Sequence, residues 1–573
     1  MPASDFEVTG TNAAAQFTLK VHRGDGMALL AMNWKSGKPP LDFVGFAIEY
    51  QEPGGAKFYP LKNRLAFTKA DGDVNPNKLS TRFSPIQKFR WVHFPRNAEM
   101  AGQFHYRVTP VFMNAQDELS YGESQDVLIE LRRETYPGQL NVCYTRGFVS
   151  SQAFVDRYES AGPISKLLPA KADQGLTFKP THPKAQEAYD WMGFEARSAI
   201  LELLDQAIAD TAAQVRVVAY DLNEPEIVSR IEKLKGRVKV LIDNEGDHGK
   251  STSAETAAEG RLGHSAGNSN VKRQHMGNLQ HNKTIVVDSP NLQSVVCGST
   301  NFSWRGFFVQ ANNAIVLRSE SVVTLFKNAF DNYWNHSDEA AEFGKTVSAS
   351  FKTLGLAGID AQVAFSPHSS QNALLKTIAD DIETQTTSSL LYSLAFLYQT
   401  PGVIKDAVKK ITKDKTKFVY GISDHKVGGI VVQTADGNVE PVSPATLEKN
   451  VPQPFKAEPT GGGGTRMHHK FVIIDFDKPT ARVYMGSYNF SIAADTSNGE
   501  NLLLIKDKRI AVSYMVEAVR LFDHYEFRLA QQDAKTAKNK LLLLKPPRKA
   551  GEKPWWDKDY TNPHRVRDRE LFA

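Results

Sequence analysis

The sequence predicts a two-lobed α/β fold, a duplicated and mostly parallel sheet flanked by helices, preceded by an all-β sandwich. Three observations predict it. A polar pattern occurs twice: His281-Asn282-Lys283-Thr284-Ile285-Val286-Val287-Asp288 then Gly298-Ser299-Thr300-Asn301, and His468-His469-Lys470-Phe471-Val472-Ile473-Ile474-Asp475 then Gly486-Ser487-Tyr488-Asn489. Ahead of each copy the apolar residues read strand, helix, strand, which makes a parallel pair with a crossover. Residues 1–135 instead alternate apolar and polar in short runs broken by Gly, Pro and Asn, the pattern of a sandwich.

Composition bounds the rest. A chain of 573 residues is too long for one ordinary core, so three or four units are expected. With 41% hydrophobic and 23% charged residues it reads as globular, which excludes collagen, a coiled coil or bulk disorder. Cys143 and Cys297 have no metal-ligand spacing and are expected to be buried free thiols in a reducing compartment, a single bridge being the alternative. The N-terminus lacks a basic and an apolar signal region, and no run approaches a membrane span. A cytoplasmic protein is expected, with secretion lacking a cleaved signal as the alternative. The net charge of +5 is uneven: residues 535–573 hold eleven Lys and Arg against five Asp and Glu, so the body before them is close to neutral.

In chain order, the first unit (1–135) contains runs such as Phe43-Val44-Gly45-Phe46-Ala47-Ile48 and Phe104-His105-Tyr106-Arg107-Val108. The second of these resembles the penultimate strand of a fibronectin type III-like domain, and a spacer or binding module is expected. Tyr136-Pro137-Gly138 marks a boundary. The first lobe (136–345) has a helix from Ala185, a strand at Gln214–Tyr220, a helix opened by Pro225 and a strand at Val238–Ile242. Gly246-Asp247-His248-Gly249-Lys250-Ser251 imitates the end of a P-loop, but Asn244 stands where the first glycine belongs. From Asp247 to Gln280 a polar loop over the site is expected, with His248, His264 and His275 solvated rather than metal-bound. The second lobe (346–540) repeats the plan with helices near Ile378 and from Pro401 and strands at Ser389–Leu394 and Phe418–Ile422. Gly461 to Gly464 reads as a mobile loop beside the entrance or a plain linker. The basic, aromatic tail (541–573) either meets an anionic membrane surface or nucleic acid, or docks its Trp555-Trp556 pair on the body.

The repeated residues suit phosphate chemistry. A strand's period of two puts His and Lys of each copy on one face. Imidazole can attack phosphorus or carry a proton near neutral pH while an ammonium holds an anionic oxygen. The copies stay in register further on. Asn498-Gly499-Glu500-Asn501 lies as far beyond Gly486 as Gln310-Ala311-Asn312-Asn313 lies beyond Gly298, which marks an internal duplication of a half-site.

These residues resemble the phospholipase D superfamily, whose signature is His-x-Lys, Asp and Gly-Ser-x-Asn, over roughly residues 140–540. The resemblance implies two lobes related by a pseudo-twofold, each giving one motif to a single site within one chain, hence a monomer. It implies a two-step displacement in which His281 and His468 serve as nucleophile and acid in an order left open. Lys283, Lys470, Asn301 and Asn489 would hold the non-bridging oxygens, supported by Ser299 and Ser487, without metal or cofactor. Glu500 stands where the family often places a carboxylate that orients a histidine, but its first-lobe counterpart is Asn312. The histidine paired with Glu500 is therefore expected to keep a raised pKa. Asp288 and Asp475, beyond the apolar strands, are expected to be structural. The implied activity is a phosphodiesterase hydrolysing phospholipid headgroups. A metal-independent nuclease and a non-catalytic binding protein are the alternatives.

Overall fold

The structure is a computed structural model describing residues 5–68, 78–95, 97–131, 134–147, 154, 157–171, 174–394, 397, 402–424, 430–433, 439–442 and 467–573. Pro401 and the Gly461 to Gly464 run lie outside the described residues.

The N-terminal all-β region comprises β1 (Glu7–Thr9), β2 (Phe17–Gly24), β3 (Met27–Trp34), β4 (Phe43–Gln51), β5 (Tyr59–Pro60), β6 (Arg90–His93), β7 (Gln103–Met113), β8 (Leu119–Tyr121) and β9 (Gln125–Glu130). Two antiparallel sheets, ordered β1-β2-β3-β6 and β5-β4-β7-β8 with β9 also on β7, enclose Phe17, Leu19, Leu30, Phe46, Ile48, Tyr106 and Val108. The alternation read from the sequence is this inward-facing set.

The first lobe holds β10 (Leu140–Tyr144), β11 (Gln214–Ala219), β12 (Val238–Asp243), β13 (Val271–Gln274), β14 (Lys283–Asp288), β15 (Gln293–Gly298) and β16 (Asn313–Arg318). The second holds β17 (Lys352–Thr353), β18 (Asp360–Ser366), β19 (Ser389–Ser393), β20 (Phe418–Asp424), β21 (Ile430–Gln433), β22 (Val439–Val442), β23 (Phe471–Ile474), β24 (Arg482–Gly486) and β25 (Glu500–Lys506). Their orders, β10-β16-β15-β14-β11-β12-β13 and β17-β18-β25-β24-β23-β19-β20-β21-β22, share a six-strand segment in which β14 corresponds to β23.

The sheets are mixed and mainly antiparallel, which corrects the expected mostly parallel sheet. Among the described strands, only β11 with β12, β12 with β13, and β19 with β20 pair in parallel. The crossovers through Pro225–Leu234 and Val403–Thr412 produce the parallel pairs that were read. The motif strands, however, continue through short connections into β15 and β24, and a short connection can only reverse the chain.

One further correction and one element that was not foreseen concern helices. The expected polar loop from Asp247 to Gln280 contains the helix Ala254–Ala266 and β13. Ser253 caps that helix and its buried face is Ala258, Leu262 and Ala266, a stripe mostly too small to register as apolar. The helix Lys508–Thr536 carries no readable stripe because residues from Ile510 to Phe522 are buried on every side. It lies in one core with Met27 and Leu29 of β3 and with Ile315, Phe471 and Leu503 from both lobes.

The tail docks its tryptophans on the all-β region. Trp555 stacks on Phe89 with ring centroids 5.2 Å apart and donates its indole N–H to the Phe43 carbonyl at 3.1 Å, while Trp556 is buried. Beyond it, Asp568 of the helix Pro563–Phe572 accepts from Arg90 at 2.8 and 3.1 Å. The same helix reaches the second lobe, where Arg567 donates to Ser388 Oγ at 3.0 Å and the Phe572 ring lies 5.5 Å from that of Phe418, so the tail straps the N-terminal region to that lobe. Cys143 and Cys297 are both buried free thiols. Among the described residues, no helix is long and apolar enough to cross a membrane.

Candidate active site

Both motif histidines lie just ahead of their strands, at the seam between the lobes. Two isolated bridges stitch that seam symmetrically: Gln280 pairs with Gly499, and Met467 with Ala311. Each joins the residue before a motif histidine to the residue before Glu500 or Asn312 in the other lobe. The imidazoles of His281 and His468 face each other with ring centroids 6.4 Å apart.

Each histidine is oriented by the opposite lobe. His281 Nδ1 lies 2.9 and 2.8 Å from the two oxygens of Glu500, which is fully buried. His468 Nδ1 lies 2.7 Å from Asn312 Oδ1 and 3.1 Å from the Ser299 carbonyl. The Asn312 amide is held in that sense, since its Nδ2 donates to the Gly306 carbonyl at 2.9 Å and its Oδ1 also accepts from Ser299 Oγ at 2.9 Å. Both partners of His468 Nδ1, an amide oxygen and a carbonyl, can only accept, so Nδ1 carries the hydrogen, which leaves the Nε2 lone pair for chemistry. The residues after the histidines cross the seam as well. Asn501 Nδ2 donates to Asn282 Oδ1 at 2.9 Å, and Asn313 Nδ2 is 3.1 Å from His469 Nδ1. His469 Nε2 in turn meets the buried Glu517 at 3.0 Å.

Electrostatics correct one expectation. Burial pushes the His281 pKa down, and although Glu500 opposes this, Lys283 and Lys470 push the same way, so the value is lowered and not raised. His468 lies well below the ordinary histidine range, because burial, Lys470, Lys283 and His281 all act against its charge and outweigh the bond to the Ser299 carbonyl. The asymmetry between Glu500 and Asn312 thus survives as a difference between a histidine beside a carboxylate and one without.

The lysines point along the motif. Lys283 Nζ donates to the His281 carbonyl, and Lys470 Nζ donates to the His468 carbonyl at 2.8 Å. Both are buried, and burial pulls Lys283 down to about 8. Asn301 gives one amide hydrogen to Asp221 Oδ2 at 2.8 Å and keeps the second. Asn489 is half-buried in the equivalent turn.

The Gly-Ser steps are structural in a specific way. Gly298 and Gly486 take φ of 137° and 148°, and a Cβ on Gly298 would sit 2.6 Å from the Asn313 carbonyl oxygen. The following serines then lock the next strand. Ser299 Oγ accepts from Asn313 N and Ser487 Oγ from Asn501 N, each at 3.0 Å. Asp475 accepts backbone N–H groups from Thr387, Ser388 and Ser389 at 2.8 to 3.0 Å, and Asp288 binds Lys327 at 2.7 Å at the far end of β14 from His281.

Sequence reasoning missed a layer behind the first motif. His248, expected to be a solvated loop residue, is largely buried, with Nδ1 2.8 Å from Asp243 Oδ2 and Nε2 3.2 Å from Asp221 Oδ1. Burial works against its charge, yet these bonds push its pKa up to about 10. Asp221, His248 and Glu255 bring potential ligand atoms within 4.8 Å of one another, but both ring nitrogens of His248 are already engaged by carboxylates. No motif spacing announces this cluster, because β11, β12 and a loop assemble it.

The family described as "Cardiolipin synthase, PLD-like domain" matches residues 204–334 and 419–522, which include both motif histidines. Those two stretches are similar to a PLD-like domain. It is similar to a phospholipase D of Rickettsia typhi, 48% identical over 48 residues, covering 8% of this chain and 22% of the relative. A mitochondrial cardiolipin hydrolase of Xenopus laevis is 38% identical over 60 residues, covering 10% of this chain and 27% of that protein. The chain therefore matches only about a quarter of the length of these curated relatives. Among solved structures, a phosphatidylserine synthase of Haemophilus influenzae aligns at 13% identity over 60% of this chain and 92% of that one, with a TM-score of 0.43.

Proposed function

We propose that the chain is a phospholipase D-type phosphodiesterase that hydrolyses phospholipid headgroup esters through a phosphohistidine. The observation that carries this reading is the facing pair His281 and His468, each tethered at Nδ1 so that Nε2 is left for the substrate. His468, neutral at Nε2, is the nucleophile. Its nitrogen bonds to phosphorus as the bond to the leaving headgroup oxygen breaks, and His281, whose protonated form Glu500 favours, gives that oxygen its proton. Water then attacks phosphorus, passes a proton back to His281 and releases His468. Asn312 Oδ1 and the Ser299 carbonyl stabilise the positive charge that His468 takes up. Lys283, Lys470, the remaining amide hydrogen of Asn301, and Asn489 would offset charge on the non-bridging oxygens.

A lipid substrate is supported by the near-neutral body of the chain outside its tail and by relatives named phospholipase D and cardiolipin hydrolase. The test is the product spectrum of purified protein in EDTA with mixed phospholipid vesicles and, in parallel, single- and double-stranded DNA, with His468→Ala as blank. Phosphatidic acid formed by the wild type alone is the expected result. Cleavage of DNA in place of lipid would replace this reading with that of a nuclease.

A further inference from the structure

Behind the first motif, His248 sits between two carboxylates that each hold a different part of the site. Asp243 uses Oδ2 for His248 and Oδ1 to accept the backbone N–H of Gln280 at 2.7 Å, next to His281. Asp221 uses Oδ1 for His248 and Oδ2 to accept from Asn301 Nδ2 at 2.8 Å and Ser303 Oγ at 3.1 Å. The Tyr220 ring is wedged between His248 and His281, with centroids 4.6 Å from each, and Lys283 Nζ lies 4.6 Å from the same ring. The helix Ala254–Ala266 adds Glu255, whose carboxylate accepts from Leu222 N at 3.1 Å. Arg273, on β13, donates to the carbonyls of His248 and Asp243 at 2.6 and 3.0 Å.

We infer that His248 is a positioning residue, a rigid two-headed cation that ties Asp221 to Asp243 and so sets both the Asn301 amide and the approach of the chain to His281. This rests on the active-site reading above. The chemistry favours imidazolium for the task. Its two N–H donors diverge from one planar ring and satisfy two carboxylates at once, whereas an amide offers no charge and a lysine no fixed direction. Without the cation Asp221, Asp243 and Glu255 would be like charges sharing a poorly solvated space, and they would protonate or separate. Either response loosens the bonds that hold Asn301 and Gln280, a neutral carboxyl being the weaker acceptor, and displacement on the order of 1 Å at a reacting group is enough to cost about 100-fold in rate.

The test compares His248→Ala and His248→Gln, each in the wild-type and Asn301→Ala backgrounds, for kcat and KM on bis(4-nitrophenyl) phosphate, with circular dichroism melting as the folding control. The expected result is a fall in kcat of about 10- to 100-fold with KM changed less than about 3-fold, becoming smaller when Asn301 is already alanine, the remainder coming through Gln280 and His281. Added imidazole should restore part of the loss in His248→Ala. Equal losses in both backgrounds overturn the inference, and so does a wild-type loss on EDTA dialysis that Zn²⁺ or Mn²⁺ reverses, since His248 would then be serving a bound cation. Should His248→Ala fail to fold, His248→Gln carries the comparison.

A wild type that leaves the probe intact counts against the active-site reading, and nitrogen NMR of the labelled histidines then decides the inference. His248 must be protonated on both nitrogens at pH 8, and His248→Gln must shift the His281 ring signals. A neutral His248 or an unmoved His281 overturns it.

Discussion

Glu500, from the second lobe, grips His281 of the first through both carboxylate oxygens, at 2.9 and 2.8 Å, across 219 residues of sequence. The charge of Glu500 is the one strong influence that favours the imidazolium form of His281, against burial and two lysines. Removing that charge while keeping the shape isolates its contribution. In Glu500→Gln the His281 pKa should fall further. A general acid is lost as pH rises through its pKa, so the alkaline limb of the pH–rate profile should move to lower pH. With proton transfer worth about 10²- to 10⁴-fold, kcat at neutral pH should fall within that range. An alkaline limb that stays in place would show that His281 is not the acid.

The two histidines should fail differently. With 4-nitrophenyl esters, whose leaving group needs no proton, His281→Ala should still form the phosphoenzyme and then accumulate it, because water is no longer activated. His468→Ala should form none. Rapid quenching at neutral pH followed by peptide mapping checks both, and label found on His281 in the wild type reverses the assignment.

Gly298→Ala places a methyl 2.6 Å from the Asn313 carbonyl oxygen at a φ of 137°. Backbone strain of this kind costs on the order of 1–3 kcal/mol, and the turn that moves carries Ser299 and Asn301. Urea unfolding should therefore show a loss of about that size, with activity falling by more than the unfolded fraction accounts for.

Glu526 links the long helix to the tail strap. Burial alone would raise its pKa, but Lys88, Arg565 and Arg90 override it and hold the carboxyl at about 2. A depressed carboxyl contributes stability that is present above the unfolded value near 4.5 and is lost as pH falls toward 2. That contribution is about 3 kcal/mol in order of magnitude. Arg565, which donates to Glu526 at 2.9 Å, supplies part of it. Arg565→Ala should lower the melting temperature at pH 7 and narrow the stability gap between pH 7 and pH 3. An unchanged gap would place the acid sensitivity elsewhere.

Much of the make-up of the candidate site was open to reading in one dimension. The doubled His-x-Lys and Gly-Ser-x-Asn steps, the alternation that builds the N-terminal sheets and the Pro225 helix are local patterns, each recorded in the spacing of neighbouring residues. Legibility stopped where a feature depends on distant partners. The helix Ala254–Ala266 hides its face in alanines, and the helix Lys508–Thr536 is buried all round, so neither shows the stripe that betrays a surface helix. His248 looked like a solvated residue because Asp221 and Asp243, which bury it, come from the ends of separate strands.

By itself, then, the sequence determined which groups are available, two imidazoles, two ammonium groups, two amides and a single carboxylate, and that they come as two half-sites, since duplication preserves spacing. Only the tertiary structure decided that Glu500 serves His281, that Asn312 and the Ser299 carbonyl serve His468, that burial lowers both histidines, and that the sheets run mainly antiparallel. The physical reason is range. Spacing encodes what one turn or one strand presents, whereas pKa values and hydrogen-bond partners are set by whatever the fold brings within a few ångströms, and here that comes from the opposite lobe.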